Sequence, residues 1–179
     1  MILGLFRRSS SEAVVQRLYA ALVAASRQPS LYADLGVPDT FEGRFESLTL
    51  HAALLVRRLQ ACAAPGPQLA QDLTDTVFAH FDRTLREMGV GDTTVPKRMR
   101  TLAEAFLGRS RAYEEALRGG DEELAATLAR NVAARDTPGL ARYVAASVEA
   151  LARQPLQGFI DGELPFPNAS AVPAHAGQP

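Results

Sequence analysis

Few residues in this chain have the type and spacing that chemistry requires. His51, His80 and His175 are the three histidines, and Cys62 is the single cysteine. A metal site needs ligands that converge, as HxxxH, HExxH or a cysteine pair do on one local element, and none of these is present. His80 and Asp82 stand two apart, so on a helix they diverge. Cys62 falls on the apolar stripe of its segment, the setting of an inert core thiol. No serine lies in a GxSxG context. One stretch invites a phosphate-binding reading: LREMGVGDTTVPKRMR (85–100), where two glycines lead into Lys97, Arg98 and Arg100. It lacks both GxxxxGK[ST] and GxGxxG, and no strand pattern precedes it. A helix that stops at Gly89 and a new helix that starts near Pro96 account for it. The new helix start could still receive an anion on its free N–H groups.

Helical geometry brings two further sets together. Arg44 and His51 lie seven apart along one edge, either capping a groove or forming a hydrogen-bonded edge pair. Arg98 and Arg109 share a face with Thr101, Ala105 and Gly108 between them. That face is either a close-packed helix seam or a shallow groove with a guanidinium at each end. Opposite it, Arg100–Glu104, Arg111–Glu115 and Glu114–Arg118 have i,i+4 spacing, each pair worth ~0.2–0.5 kcal/mol on a solvated face. Asp82–Arg86 repeats the spacing. Chemistry-bearing residues so placed describe a helical binding module. They point to no catalytic group, no cofactor, no metal and no small-molecule substrate.

The elements that would position these residues are helical from end to end. The chain has 179 residues, 47% hydrophobic and 22% charged, the size and balance of one globular domain. Its net charge of −1 gives no global field for nucleic acid. The charge is uneven: residues 67–92 carry two cations and five anions, and residues 93–120 carry six cations and three anions. The 3.6-residue period predicts a helix over 11–27 (Leu18, Leu22) and a short helical turn before Gly36. A long helix follows, capped by Asp39 or Thr40 and buried on more than one side. Next come a helix over 67–88 ending at Gly89, one from Thr94–Pro96 to Gly119, one capped by Asp121, and one capped by Thr137 that ends before Pro155. Residues 156–168 read as an irregular path, and 169–179 as a disordered tail. The expectation is a single all-α bundle of about six or seven helices over residues 1–168. No apolar run approaches a membrane span, and the opening MILGLFRRSS is too short for a secretory core. These features predict a cytoplasmic protein.

Several stretches resemble the ubiquinol–cytochrome c chaperone family. They are GVPDT (36–40), GRFE (43–46), Leu50–His51, LREMGVGD (85–92), the VxKRM spacing (95–99), AFxGR (105–109) and Ala112–Tyr113, in the family's order. Thr93 stands where a larger apolar residue is expected, and Leu107 where the family often has an aromatic. The resemblance implies a helical, non-enzymatic factor for assembly of the cytochrome bc1 complex. Its partner would be newly made cytochrome b or another bc1 subunit, with the ribosome or the inner-membrane surface as further partners. A bacterial type of chain would act in the cytoplasm, peripheral to the inner membrane. Motif match carries over Asp39, Arg44, Glu46, His51, Asp82, Arg86, Glu87, Asp92, Lys97, Arg98, Arg109 and Tyr113 as candidate partner-binding positions. Asp82, Arg86 and Glu87 are also candidates for ion pairs around the Gly89 turn. Handling a hydrophobic client needs exposed apolar surface. The expected places are LQGFIDGELPFP (156–167) and the first residues. The other function open to the residues is a ribosome- or nucleic-acid-binding module that uses the basic face of 97–118.

Overall fold

The computed structural model describes residues 3–172, with side chains from Ser11 onward. Every regular element among the described residues is helical: α1 (Leu3–Ser26), α2 (Pro29–Ala33), α3 (Phe41–Gln60), α4 (Gly66–Glu87), α5 (Val95–Gly119), α6 (Asp121–Asn131), α7 (Thr137–Arg153), α8 (Leu156–Asp161) and a 3-10 turn at Ala169–Ala171. The all-α expectation holds. Six long helices and the short α2 match the expected set, and α8 is an addition. Its sequence was expected to be irregular, but it winds briefly between Pro155 and left-handed Gly162 (φ 85°). The residues after Val172 lie outside the described part of the chain.

Local chemistry sets the helix ends. Thr40 caps α3 by accepting the Gly43 N–H at 3.1 Å. At α4 the chain turns through Gly89 (φ 79°), and the Val90 N–H closes onto the Leu85 carbonyl at 3.0 Å. That left-handed turn is the conformation glycine adopts without a Cβ penalty. Two caps sit one residue earlier than expected. Asp136 rather than Thr137 caps α7, accepting the Gly139 N–H at 2.8 Å, with Pro138 inside the first turn. Gly120 (φ 95°) precedes α6, and Asp121 is its first residue. There Asp121, Glu122 and Glu123 still meet the positive end of the helix dipole.

α3 is the hub. It packs against α1, α4, α5 and α7, and from Gly43 to Leu55 every residue except Arg44 is buried. Leu18 and Leu22 of α1, Leu50 and Leu55 of α3, Leu73 of α4 and Leu128 of α6 belong to one continuous core. Polar groups on so enclosed a helix are stabilised by partners inside the protein, although the buried Thr49 hydroxyl has none among the described residues. His51 has two. Its Nδ1 lies 2.7 Å from the Ser47 carbonyl and its Nε2 lies 2.7 Å from the Tyr143 hydroxyl. A carbonyl can only accept, so Nδ1 carries the proton and Nε2 accepts from the Tyr143 O–H. Ser47 donates to the Ser26 carbonyl at 2.8 Å, and Tyr32 donates to the same oxygen at 2.9 Å. α1, α2, α3 and α7 are thereby fastened to one buried network.

The segment after α7 straps across this hub. Phe159 is fully buried, and Leu164 and Phe166 pack on the core. The Phe166 ring stacks 4.8 Å from His51. Arg58 donates to the Leu151 and Gln154 carbonyls at 2.8 and 2.9 Å, and Arg17 reaches the Ile160 carbonyl at 3.0 Å. Residues 156–167 therefore turn their apolar groups inward, which corrects the expectation that they offer exposed client surface. The other expected site, the first residues, falls outside the described side chains.

Two stability measurements probe this arrangement. A Cβ at Gly43 would come 1.9 Å from the Pro38 carbonyl oxygen. Gly43→Ala should therefore cost about 2–3 kcal/mol in urea unfolding, against about 1 kcal/mol for Gly89→Ala, where only the left-handed φ is strained. His51 gives a pH test. Burial lowers its pKa from the ordinary 6.5 to about 4, opposed by its bond to the Ser47 carbonyl. Between these values the unfolded chain binds the proton and the folded one does not. Stability is full above pH 6.5 and falls by about 3 kcal/mol as the pH drops toward 4. A His51→Gln variant should lose that slope in urea midpoints taken across the window.

Candidate functional site

The structure pairs most of the charged candidates with one another. Glu46 on α3 and Arg109 on α5 form a two-pronged ion pair that joins these helices at a half-buried position. One turn beyond Arg109, Tyr113 is 1% exposed and its hydroxyl has no partner among the described residues. Burial and the neighbouring Glu46 charge raise its pKa, with Arg109 opposing. Arg44 holds Asp39 at 2.6 Å on the surface, and that hydrogen bond keeps the Asp39 carboxyl below its ordinary value. Arg86 reaches Asp82 at 2.7 Å and also bonds to Asp92. This clasp spans the Gly89 turn, as the sequence suggested for Asp82 and Arg86. Glu87 is outside it, exposed and without a cation partner among the described residues.

Two pairings read from the helical period do not form. Arg44 is exposed and bound to Asp39 while His51 is wholly buried, so they share no edge contact. Seven residues is close to two turns, yet α3 is enclosed so fully that a small angular offset separates surface from core. Arg98 and Arg109 do not share a groove either. Arg109 is taken by Glu46, Arg98 is exposed, and a Cβ at Gly108 would meet nothing within 4 Å. The small residues between them are thus no tight seam at Gly108. Of the i,i+4 pairs expected on α5, Glu114–Arg118 forms at 2.7 Å. Lys97, Arg98 and Arg100 at the start of α5 are exposed, with no carboxylate partner among the described residues.

What sequence reasoning missed is a groove of about 800 Å³ between the C-terminal half of α3, the first turns of α4 and the C-terminal half of α5. Ala53 and Leu54 of α3 and Phe106 and Leu117 of α5 give it apolar walls, and Tyr113 lines it as well. Leu107 stands on its lip, 58% exposed. A polar clasp forms one rim: Glu114 accepts from Arg57 of α3 at 2.5 Å and from Arg118 at 2.7 Å. Gln71 and Thr74 of α4 complete the lining with neutral polar groups. The available signal was Leu107 itself, a leucine one residue off the buried stripe that carries Phe106 and Tyr113. A trough with apolar walls, edged by Arg57, Arg111, Glu114, Glu115 and Arg118, can shelter an apolar or amphipathic segment.

Comparison with known proteins agrees with this geometry. The model of the ubiquinol-cytochrome C chaperone family matches residues 33–166. Ubiquinol-cytochrome-c reductase complex assembly factor 1 of Xenopus laevis is 24% identical over 116 residues, covering 65% of this chain and 58% of that protein. The chain thus spans little more than half the length of that relative. The crystal structure of the Cbp3 homolog from Brucella abortus superposes with a TM-score of 0.85 at 38% identity, covering 97% of this chain and all of the other. The matched span runs from the end of α2 to Phe166 and takes in the hub, the Gly89 turn, the groove and the strap. The chain belongs to the ubiquinol-cytochrome C chaperone family.

Proposed function

We propose that this protein is a non-catalytic assembly chaperone for the cytochrome bc1 complex, and that it holds an apolar segment of newly made cytochrome b in the groove between α3, α4 and α5. The observation that carries this reading is the groove: apolar walls, a volume of about 800 Å³ and an exposed leucine at its lip. Docking an apolar or amphipathic helix into such a trough is a common mode of peptide recognition. The client's apolar surface leaves water there while the Arg57–Glu114–Arg118 clasp remains solvated at the edge. The family name supports the process, and the Xenopus laevis relative bears the name of an assembly factor for the same complex. In this reading Glu46, His51, Asp82, Arg86, Asp92, Arg109 and Tyr113 brace the bundle and the groove. Asp39 and Arg44 pair at the surface, and Glu87 is exposed there with no cation partner among the described residues.

The start of α5 supports a second contact. Lys97, Arg98 and Arg100 crowd the N-terminal turns of a helix, where the dipole disfavours cations by roughly 0.3–1 kcal/mol each. An unfavourable placement with no internal partner suits an external polyanion, the ribosome or an anionic inner-membrane surface. The protein would then work on the cytoplasmic side, peripheral to that membrane. No helix among the described residues is long and apolar enough to cross one.

Leu107 is exposed, so Leu107→Glu should leave the unfolding midpoint almost unchanged. It should weaken binding of a cytochrome b transmembrane peptide, followed by fluorescence anisotropy, by about tenfold or more, since a charge then enters an apolar contact. Unaltered affinity would remove the groove from the mechanism. For the second surface, the Lys97→Gln/Arg98→Gln/Arg100→Gln variant should flatten the salt dependence of ribosomal RNA or anionic-vesicle binding, by about two to three in log–log slope for RNA. An unchanged slope excludes this turn as the contact.

A further inference from the structure

A second cleft lies at the other end of α3 and shares no residue with the client groove. It opens where the C-terminal halves of α1 and α4 meet the start of α3, and its volume is about 420 Å³. Its walls are aromatic. Phe45 and Phe81 stack at 5.2 Å and Tyr19 faces His80 at 5.3 Å between ring centroids. Phe41 stands at the mouth, 43% exposed, and Val23 and Leu48 complete the apolar lining.

Cationic donors outnumber carboxylates in this cleft, beside the Thr40 and Thr84 hydroxyls, which can donate or accept. Arg27 and Arg44 stand on its rim. Asp39 is the one carboxylate in the lining, and Arg44 already engages it at 2.6 Å. Arg27 has no carboxylate partner among the described residues. The Tyr19 hydroxyl is closed off from solvent with no hydrogen-bond partner among the described residues. Burial holds His80 below its ordinary pKa, with Arg83 and Arg27 adding to the effect and Glu87 opposing it. The imidazole is therefore neutral at pH 7, and the positive field comes from the arginines. An aromatic pocket of this volume with a few convergent polar groups has the anatomy of a small-ligand site. Its surplus of donors selects an anionic acceptor.

We propose that this cleft binds one free amphiphile: an apolar chain or ring against Phe41, Phe45 and Phe81, carrying a single carboxylate held between Arg27 and Arg44. The two arginines also border the adjoining cleft around Tyr32, so the head group sits at the open mouth and the apolar part reaches in toward Phe45 and Phe81. A free molecule rather than a bilayer is the occupant, because the aromatic floor is recessed between three helices and its volume matches one small ligand. Insertion into a membrane surface needs an apolar face that protrudes. The occupant is a ligand and undergoes no reaction.

Titration calorimetry with the intact chain tests this, using decanoate and decanol as probes that differ only in head group. Decanoate should bind at one site, and decanol at least about tenfold more weakly, given what a charge-assisted hydrogen bond contributes. Arg27→Gln should reduce decanoate affinity about tenfold and leave decanol binding unchanged. Leu107→Glu should not affect decanoate, so this cleft and the client groove succeed or fail independently. Equal affinity for the two probes, no saturable decanoate binding, or full affinity in Arg27→Gln would each overturn the proposal.

Discussion

Enclosure of α3 governs the rest of the molecule. A helix covered by α1, α4, α5 and α7 has almost no surface on which to leave a polar group to water. Each polar side chain it carries must therefore be answered by a neighbour or cost free energy. Ser47 is answered by the end of α1, His51 by its own helix and Tyr143 of α7, and Glu46 by Arg109 of α5. These bonds are directional where apolar packing is not, so they orient α1, α5 and α7 against the hub. The two recesses inherit that orientation. One lies along the C-terminal half of α3, and the other at its start.

The helical skeleton was legible because it is encoded locally. Leu18 and Leu22, or Val77 and Phe81, report a buried face within a turn or two of themselves. Gly89 announces its left-handed turn by being glycine between two amphipathic runs. The caps at α6 and α7 were misplaced by one residue because Asp136 and Thr137 can both cap and Pro138 tolerates either register. The site was less legible because its partners are remote. His51 meets a tyrosine 92 positions away, and Arg109 meets a glutamate 63 away. No periodicity links such pairs. The α3–α5 groove is harder still, since it is the space three helices leave when they cross. Its one local trace is Leu107, off the stripe and exposed. The stretch 156–167 misled in the opposite sense. Glycines and prolines among apolar residues read as an irregular path across the bundle that offers apolar surface to a client, whereas Phe159 is buried and Leu164 and Phe166 pack against the core.

The charges divide between two roles. Those at Glu46–Arg109, Asp82–Arg86–Asp92 and Arg57–Glu114–Arg118 are neutralised in place, join elements and carry little field outward. Those at Lys97, Arg98 and Arg100 have no such partner among the described residues and crowd a helix start that disfavours them. A chaperone for an apolar subunit benefits from this division. The groove keeps apolar walls between the charged residues that line it, and Lys97, Arg98 and Arg100 sit on a separate turn of α5.

The account depends on an apolar segment of cytochrome b lying in the α3–α5 groove during synthesis. A photo-reactive amino acid placed at position 107, with irradiation while cytochrome b is being made, tests this most directly. The account predicts an adduct between position 107 and a transmembrane segment of cytochrome b that disappears once the bc1 complex is mature. Normal assembly of the complex with no adduct to any of its subunits would contradict it.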